Sequence, residues 1–211
     1  MTFTVTVPAP DRTLISLAEA KAALGITNTA SDATLATLIA QISDLIAREC
    51  KVPEDGASPP TLRRETIVET FRQDKRVSPL ILARRFVGSI TSVVEDGVTL
   101  AATDYETDKA AGLVSRLDAS GNIICWPMAK IVATYTAGFE TIPEPLKLAA
   151  ITILREQRSA ASRDPMLRGE TVEGLGRFDY WVNAAPGSGS SVSAVSGVAA
   201  AMLDGYRYFQ V

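Results

Sequence analysis

The amino-acid sequence predicts an α+β protein: a small helical bundle with an inserted antiparallel β-sheet and a tethered C-terminal helix or tail. Three observations support this fold class. Apolar residues recur at the helical period near both ends of the chain. Short runs rich in β-branched residues alternate with turn signals between about 64 and 136, and a Gly/Ser-rich stretch precedes a final apolar stripe. With 211 residues, the chain is long enough for one domain with an appendage.

Two helices are predicted near the start of the chain. Ser16–Glu19 has the pattern of a capping box, in which the serine hydroxyl accepts from the third helical amide and the glutamate reaches back. Gly25 is suited to end that helix, which gives bounds of 16–24. A second helix with one buried face is predicted over 31–50. Its apolar positions are Leu35, Leu38, Ile39, Ile42, Leu45, Ile46 and Cys50.

Short strands are predicted after a proline-rich break at 53–60. Asp96-Gly97 lies between two of them and is a strong signal for a tight hairpin. The strands are closely spaced, which favours hairpins in one antiparallel sheet over βαβ crossovers. The predicted strands are Thr66–Phe71, Pro79–Leu82, Ser89–Val94, Val98–Leu100, Tyr105–Thr107, Leu113–Val114 and Lys130–Thr136.

A third helix is predicted over 144–160, and its first residues are apolar nearly all round, which indicates a buried central position. Residues 172–182 are interpreted as one further strand that bends at Gly174 and Gly176. Together these elements form a predicted body over residues 1–183.

Residues 184–211 are predicted to be a flexible linker followed by a binding segment. Residues 184–191 are rich in glycine and serine, and the chain from 184 to 197 spans on the order of 20 Å as a random coil. That reach is enough to contact a neighbouring subunit or another protein. A helix this short is marginal alone, so it is expected to dock on something. The apolar stripe consists of Val195, Val198, Ala199, Met202 and Leu203, and the aromatics that follow are Tyr206, Tyr208 and Phe209.

The composition excludes several function classes. The chain has no histidine, which rules out Ser-His-Asp and Cys-His catalysis and every metal site that needs imidazole. Its formal charge of −3 is no polyelectrolyte signature. Cys50 and Cys125 are interpreted as small core residues in a reduced, cytosolic setting. No apolar run approaches the length of about 20 residues that spans a bilayer, and no cofactor or metal is predicted.

Four arginines leave an alternative open. Residues 146–168 hold five basic and two acidic residues, and guanidinium groups pair well with phosphate and with carboxylate. The group therefore predicts contact either with a partner protein or with DNA, and a nucleic-acid-binding module is the alternative function. The four are Arg155, Arg158, Arg163 and Arg168.

Asp104, Glu106 and Asp108 alternate along one predicted strand. Such a row could in principle support acid-base chemistry, but it lacks a partner nucleophile and a cleft signal. A solvated strand face is the preferred interpretation, and an enzyme is the weakest hypothesis for the function of the chain.

The order of these features resembles the head-tail connector, or adaptor, proteins of long-tailed bacteriophages and gene transfer agents. The resemblance runs from about residue 14 to 158 and depends on the ordered set more than on any single piece. The chain differs from the family at Ala83–Gly88, where relatives commonly have a proline-containing turn. The matching segments are Leu14–Lys21, Asp32–Glu49, Ser89–Val93 with Asp96-Gly97, Asp104–Asp108, Val132–Phe139 and Ile142–Lys147.

The resemblance implies a structural role without catalysis. Family members form a twelve-subunit ring beneath the portal protein, extend the DNA channel through which double-stranded DNA passes, and offer a platform to the stopper or tail-completion protein. Such a protein is made in the host bacterial cytoplasm, contacts no membrane and resides in the virion at the head-tail interface. In longer members the C-terminal segment grips the portal. The residues that this implies for portal binding are Val198, Ala199, Met202, Leu203, Tyr206, Arg207, Tyr208 and Phe209.

Overall fold

Helices, short antiparallel strands and their connecting turns make up the part of the chain that the computed structural model describes, residues 2–161, 169–172, 176–179, 195 and 197–208. The helices are α1 (Leu17–Leu24), α2 (Asp32–Glu49), α3 (Glu144–Ala161) and α4 (Gly197–Leu203), with a 3₁₀ turn at Asp204–Tyr206. The strands are β1 (Thr2–Val7), β2 (Glu65–Arg72), β3 (Leu80–Ile81), β4 (Val87–Glu95), β5 (Val98–Thr99), β6 (Tyr105–Asp108), β7 (Leu113–Leu117), β8 (Ile123–Ile124), β9 (Lys130–Ala137), β10 (Gly169–Val172) and β11 (Gly176–Asp179).

Both predicted N-terminal helices are confirmed. Ser16 Oγ accepts from the Glu19 amide at 3.2 Å, and the Glu19 carboxylate accepts from the Ser16 amide at 2.7 Å. That second bond, with further help from Ser16 and Lys147, lowers the pKa of Glu19 to about 2. Gly25 ends α1 in the left-handed conformation at φ 67°. Helix α2 begins and ends within one residue of its predicted bounds.

The helices enclose the first of two apolar cores. Its members on α2 and α3 recur at the helical period, and each large side chain removed from water contributes about 1.5–3 kcal/mol. Helix α3 differs from the prediction on one face, because Leu148 is 48% exposed. The core residues on the two helices are Leu35, Ile39, Ile42, Ile46, Leu146, Ala149, Ala150, Ile153 and Leu154.

The larger sheet has five antiparallel strands in the order β1-β2-β9-β4-β5. Strand β9 is central, and its Tyr135 lies opposite Ile67 of β2 on one side and Ile90 of β4 on the other. Asp96 and Gly97 form the predicted hairpin turn between β4 and β5, with φ angles of 47° and 87°. Positive φ at both turn residues is what the type I′ hairpin requires.

The smaller sheet has four strands, in which β7 pairs with β6 on one edge and with β3 and β8 on the other. The two sheets share the second core, where Trp126 is fully buried and donates from Nε1 to the Val114 carbonyl at 3.0 Å. The predicted antiparallel strands are confirmed, but they form two sheets rather than one. Strands β2 and β4 flank β9 in the larger sheet, while β7 pairs with β3, β6 and β8 in the smaller one.

Three details of the strand prediction are wrong. Strands β1 and β8 are not among the predicted ones, although β1 pairs along β2 from Thr2 to Val7. The single bent strand at 172–182 is instead a hairpin of β10 and β11, in which Val172 lies opposite Gly176. Residues 173–175 and 180–182 lie outside the described residues, as does the predicted linker at 184–191.

We expect Gly138→Ala to lower the free energy of unfolding by about 2–4 kcal/mol, from backbone strain and overpacking together. Gly138 has φ 93°, and an added Cβ would collide with the Arg63 carbonyl oxygen. That carbonyl cannot retreat, because Phe139 donates from its amide to Leu62 O at 2.8 Å and accepts from the Arg64 amide at 3.1 Å. Urea denaturation measures the change.

Gly97→Ala is the matched control for this prediction. Gly97 also has positive φ, 87°, but no atom lies within 4 Å of an added Cβ. Its expected cost is therefore the backbone penalty alone, about 1 kcal/mol. Equal losses in the two variants would mean that the close approach of the Gly138 backbone to Arg63 contributes nothing.

Candidate functional site

The C-terminal segment, defined here as residues 197–208, lies against the helical bundle. Ala199, Leu203 and Tyr208 are 0%, 0% and 5% exposed and belong to the same core as α2 and α3. Val195, just ahead of the segment, is 4% exposed. Helix α4 has seven residues, too few to hold in water alone. Its packing against the body therefore supplies its stability.

Hydrogen bonds and one ion pair fix the end of the segment. The Tyr208 amide donates to the Cys50 carbonyl at 2.8 Å, and Arg207 Nη2 lies 2.7 Å from Glu49 Oε1. From the opposite side, Arg85 Nη1 donates to the Arg207 carbonyl at 2.6 Å. The end of α2 and the turn after β3 thus hold the same two residues.

An aromatic cluster surrounds these contacts. The φ angle of Phe86 is 57°, which is rare for a residue with a large side chain. Phe86 lies at the centre of the cluster. Its ring centroid lies 4.7 Å from Phe139, 5.9 Å from Tyr206 and 6.2 Å from Tyr208. The Arg85 guanidinium lies 5.2 Å from the Phe86 ring centroid. Aromatic pairs at these separations contribute about 0.5–1.5 kcal/mol each beyond their buried area.

A buried ion pair positions the turn that carries Arg85 and Phe86. Arg84 Nη2 lies 3.3 Å from Glu65 Oε2, with side chains 5% and 2% exposed. Arg84 Nη1 also donates to the Thr61 carbonyl at 2.9 Å. Burial raises the pKa of Glu65, and the charge of Arg84 opposes that rise.

Glu69, four residues further along the same face of β2, forms the second half of this network. Its carboxylate accepts from the Ala83 amide at 3.0 Å and from the Tyr135 hydroxyl at 2.8 Å. Glu69 is 0% exposed and has no ion-pair partner in the described part of the chain. Burial therefore raises its pKa. Burial, together with the charge of Glu69, also raises the pKa of Tyr135.

A groove of about 1040 Å³ opens beside Tyr208, between the end of α2, β1 and the smaller sheet. Its walls are mainly apolar, with Phe3, Leu82 and Leu113 among the lining residues. Burial raises the pKa of Tyr208 to about 12, so its hydroxyl stays protonated at neutral pH.

The residues predicted for portal binding divide into three groups. Ala199, Leu203 and Tyr208 are buried in the chain's own core, whereas Val198 is 63% exposed. Met202, Tyr206 and Arg207 are partly exposed, and Phe209 lies outside the described residues. The C-terminal segment, which the sequence predicted to be a binding segment, packs against the body of the same chain. Sequence reasoning missed the groups that receive it, Glu49, Cys50, Arg85, Phe86 and Phe139.

The predicted arginine group is only partly described. Arg155 Nη2 donates to the Ala23 carbonyl at 2.9 Å, so its guanidinium joins α3 to the end of α1. Arg158 is exposed in the last turns of α3, and Arg163 and Arg168 lie outside the described residues.

The predicted row of carboxylates is not a cluster. Asp104 accepts from the Ala101 amide at 2.9 Å, and Asp108 accepts from the Ala110 and Ala111 amides at 3.0 Å each. Both therefore close turns at the ends of β6, while Glu106 between them is exposed. Within the described ranges, no group of three or more Cys, Asp or Glu residues could hold a metal ion.

The two cysteines have different environments. Cys50 is buried in the helical core, as predicted, and burial raises its pKa to about 12. Cys125 is exposed, so its interpretation as a core residue is wrong. It follows β8, which pairs with β7 at the edge of the smaller sheet.

Fold and site together define a small α+β protein in which a helical bundle and a β-layer hold a C-terminal segment between them. The chain belongs to the head completion protein family, whose model matches residues 13–173. This match confirms the resemblance to head-tail connector proteins that residues 14–158 suggested. A search of curated proteins finds no match.

Two solved structures resemble the chain along its whole length. A chain in "Neck of empty GTA particle computed with C6 symmetry" is 17% identical, with a TM-score of 0.57 and coverage of 100% of this chain and 97% of that one. A chain in "Virion of native gene transfer agent (GTA) particle" is 14% identical, with a TM-score of 0.56 and the same coverage. At these identities the likeness establishes the fold.

We expect Glu69→Gln to flatten the dependence of stability on pH. The folded pKa of Glu69 lies above its unfolded value. Between the two values the folded protein keeps a proton that the unfolded chain has lost, so the free energy of unfolding falls as pH rises through this window. Glutamine removes that titration and keeps an acceptor for Ala83 and Tyr135. Urea denaturation at a series of pH values from acid to neutral measures the slope.

Glu106→Gln is the control for this pH series. Glu106 is exposed and makes no side-chain hydrogen bond or ion pair among the described residues, so this variant removes a carboxyl that the fold does not bury. If Glu69→Gln follows the unmodified chain as closely as Glu106→Gln does, the buried carboxyl does not titrate as described.

We expect Cys50 to resist thiol reagents until the C-terminal segment is loosened. The thiolate is the reactive form, and a buried thiol with a pKa of about 12 supplies little of it. Tyr208→Ala removes a core aromatic, a loss of about 3–5 kcal/mol, and should raise the Cys50 labelling rate by at least about tenfold. Exposed Cys125 serves as the internal control, with an unchanged rate. Unchanged labelling of Cys50 would show that Tyr208 does not hold the segment.

Proposed function

We propose that this chain is a structural head-tail connector that assembles as a twelve-subunit ring at the neck of a phage-like particle. The family match over residues 13–173 carries the proposal. In this role the ring lies beneath the portal protein, extends the DNA channel and presents a platform to the stopper or tail-completion protein. The similar chain from a neck computed with C6 symmetry supports a ring, since twelve copies are compatible with sixfold symmetry.

The proposed role requires contacts and no catalytic step. Its setting is the head-tail interface of the virion, after synthesis in the host bacterial cytoplasm. None of the helices in the described ranges has the length and apolar character needed to cross a bilayer.

The proposed portal contact uses the C-terminal segment in its docked position. Val198 is 63% exposed, and Met202 follows one helical turn later on the same side of α4. Val198 and the exposed part of Met202, which also packs on the helical core, give the docked segment an outward apolar face. Ala199, Leu203 and Tyr208 hold the segment from the other side, while Tyr206 and Arg207 fix its end. Phe209 follows directly and is proposed to extend the contact.

Electron microscopy of this chain mixed with its cognate portal tests the proposal. We expect a collar of twelvefold symmetry at one end of the portal. Val198→Asp should weaken portal binding by at least about tenfold, since burying one valine contributes about 1.5 kcal/mol or more. Absence of added density with the unmodified chain would overturn the connector role.

Val98→Asp is the matched control, because Val98 on β5 is 67% exposed and lies far along the chain from the segment. Both variants should unfold at the same urea concentration as the unmodified chain. Tyr208→Ala distinguishes two modes of binding. If the docked segment is the binding form, this variant binds the portal more weakly, and if the segment must first be released, it binds more tightly.

A further inference from the structure

We propose that one end of the larger sheet binds the phosphate backbone of duplex DNA. The surface, here called the basic tip, consists of Arg72, Lys75, Arg76 and Lys130. Lys130 begins β9, whose opposite end leads to Phe139 beside the C-terminal segment. The inference rests on the proposed function only for the source of the duplex. The geometry of the basic tip and the test of its DNA binding involve this chain alone.

Strand pairing places two of the four cations side by side, and the connection after β2 carries the other two. Arg72 ends β2 and Lys130 begins β9, and the two are direct cross-strand partners. Their side chains therefore leave the sheet on the same face. Lys75 and Arg76 follow in the connection after β2, whose first residue, Gln73, donates from its amide to the Ala129 carbonyl at 3.3 Å. All four cations are exposed.

The charges of the basic tip are not neutralised by ion pairs. None of its four cations pairs with a carboxylate within the described residues, whereas Lys21, Arg48, Arg116 and Lys147 do. Asp74 lies between the cations in the sequence, and Asp96 accepts from the Lys130 amide at 3.0 Å. Glu95, which lies opposite Ile131, pairs with Arg116 instead. Four cations and two carboxylates leave a formal charge of +2 in a chain whose total is −3.

The face on which Arg72 and Lys130 stand carries hydroxyls and no carboxylate on β2 and β9. Glu65 and Glu69, the acids of β2, point to the opposite, buried face. Hydroxyl donors and cations are the groups that contact phosphate oxygens in protein-DNA complexes. The outward residues beside the two cations are Thr66, Val68, Thr70, Val132, Thr134 and Thr136.

The outward residues of β2 and β9 lack the apolar anchors of a protein interface, although the exposed Met128 lies two residues before Lys130. Protein interfaces depend on buried aromatic and large apolar anchors, and no outward residue of β2 or β9 is an exposed large hydrophobic side chain. Backbone contacts with DNA depend mainly on charge and counterion release. Unpaired cations beside hydroxyls on an antiparallel sheet therefore fit a repeating phosphate chain better than an acidic protein.

Fluorescence anisotropy of a labelled duplex of about 20 base pairs, titrated with the full chain at about 20–200 mM salt, tests this surface. We expect weak binding that falls steeply with salt. In the double variant Arg72→Gln/Lys130→Gln the affinity at the lowest salt should fall by at least about tenfold. The slope of log affinity against log salt should fall by about 2, since each lost phosphate contact removes about 0.9.

Lys51→Gln/Lys109→Gln is the matched control. It removes the same net charge from two exposed cations that also have no ion-pair partner among the described residues. Its slope should match that of the unmodified chain, and both double variants should keep the urea midpoint. Equal losses in the two variants, an unchanged slope in the tip variant, or no binding at the lowest salt would each overturn the inference.

Two further measurements test which polyanion the basic tip binds and whether it acts independently of the portal contact. Polyglutamate should compete poorly with the duplex, and equal competition would assign the tip to an acidic protein instead. The tip variant should still form the collar on the portal, and Val198→Asp should still bind DNA. Failure of the portal test with intact DNA binding would therefore remove the connector role and leave the phosphate surface in place.

Discussion

The position of the C-terminal segment depends on two buried carboxylates of one strand. Glu65 and Glu69 lie on the inward face of β2 and hold the turn after β3, one through the Arg84 side chain and the other through the Ala83 amide. Burying ionised groups costs several kcal/mol each unless they are paired or hydrogen-bonded. Their partners can therefore occupy few other positions. The next two residues, Arg85 and Phe86, are the ones that grip the segment.

Local signals predicted the elements whose stability is local. The capping box at Ser16, the C-terminal Gly25 and the Asp96-Gly97 turn each involve groups a few residues apart, so the sequence displays the whole interaction. Strand partners are different, because β2 and β9 are joined by residues more than fifty positions apart. Nothing in the sequence of β9 showed that β2 and β4 would occupy both its edges. The strict Thr/apolar alternation of Thr2–Val7 was a usable signal that was missed.

At the candidate site, too, the local spacing was predictable from the sequence and the long-range partners were not. The helical spacing of the predicted apolar stripe identified a segment that buries one face. The structure buries Val195, Ala199 and Leu203 of that stripe but leaves Val198 exposed. The spacing could not identify the surface that receives it. Groups from α2, the turn after β3 and the end of β9 form that surface, and they meet only in the fold. The stretch Ala83–Gly88 contains the turn on which this surface depends.

The magnitudes favour a segment that stays docked when it meets its proposed partner. Release would expose Val195, Leu203 and Tyr208, at about 1.5–3 kcal/mol for each large apolar side chain. A released segment would also have to be ordered again on the partner, at a cost of about 1–2 kcal/mol per residue. The outward face at Val198 and Met202 offers roughly two side chains of burial in return. A partner that buried only this outward face could not offset the free energy lost when the segment is released. Docking on the body therefore preorganises the segment, and binding then requires little further ordering.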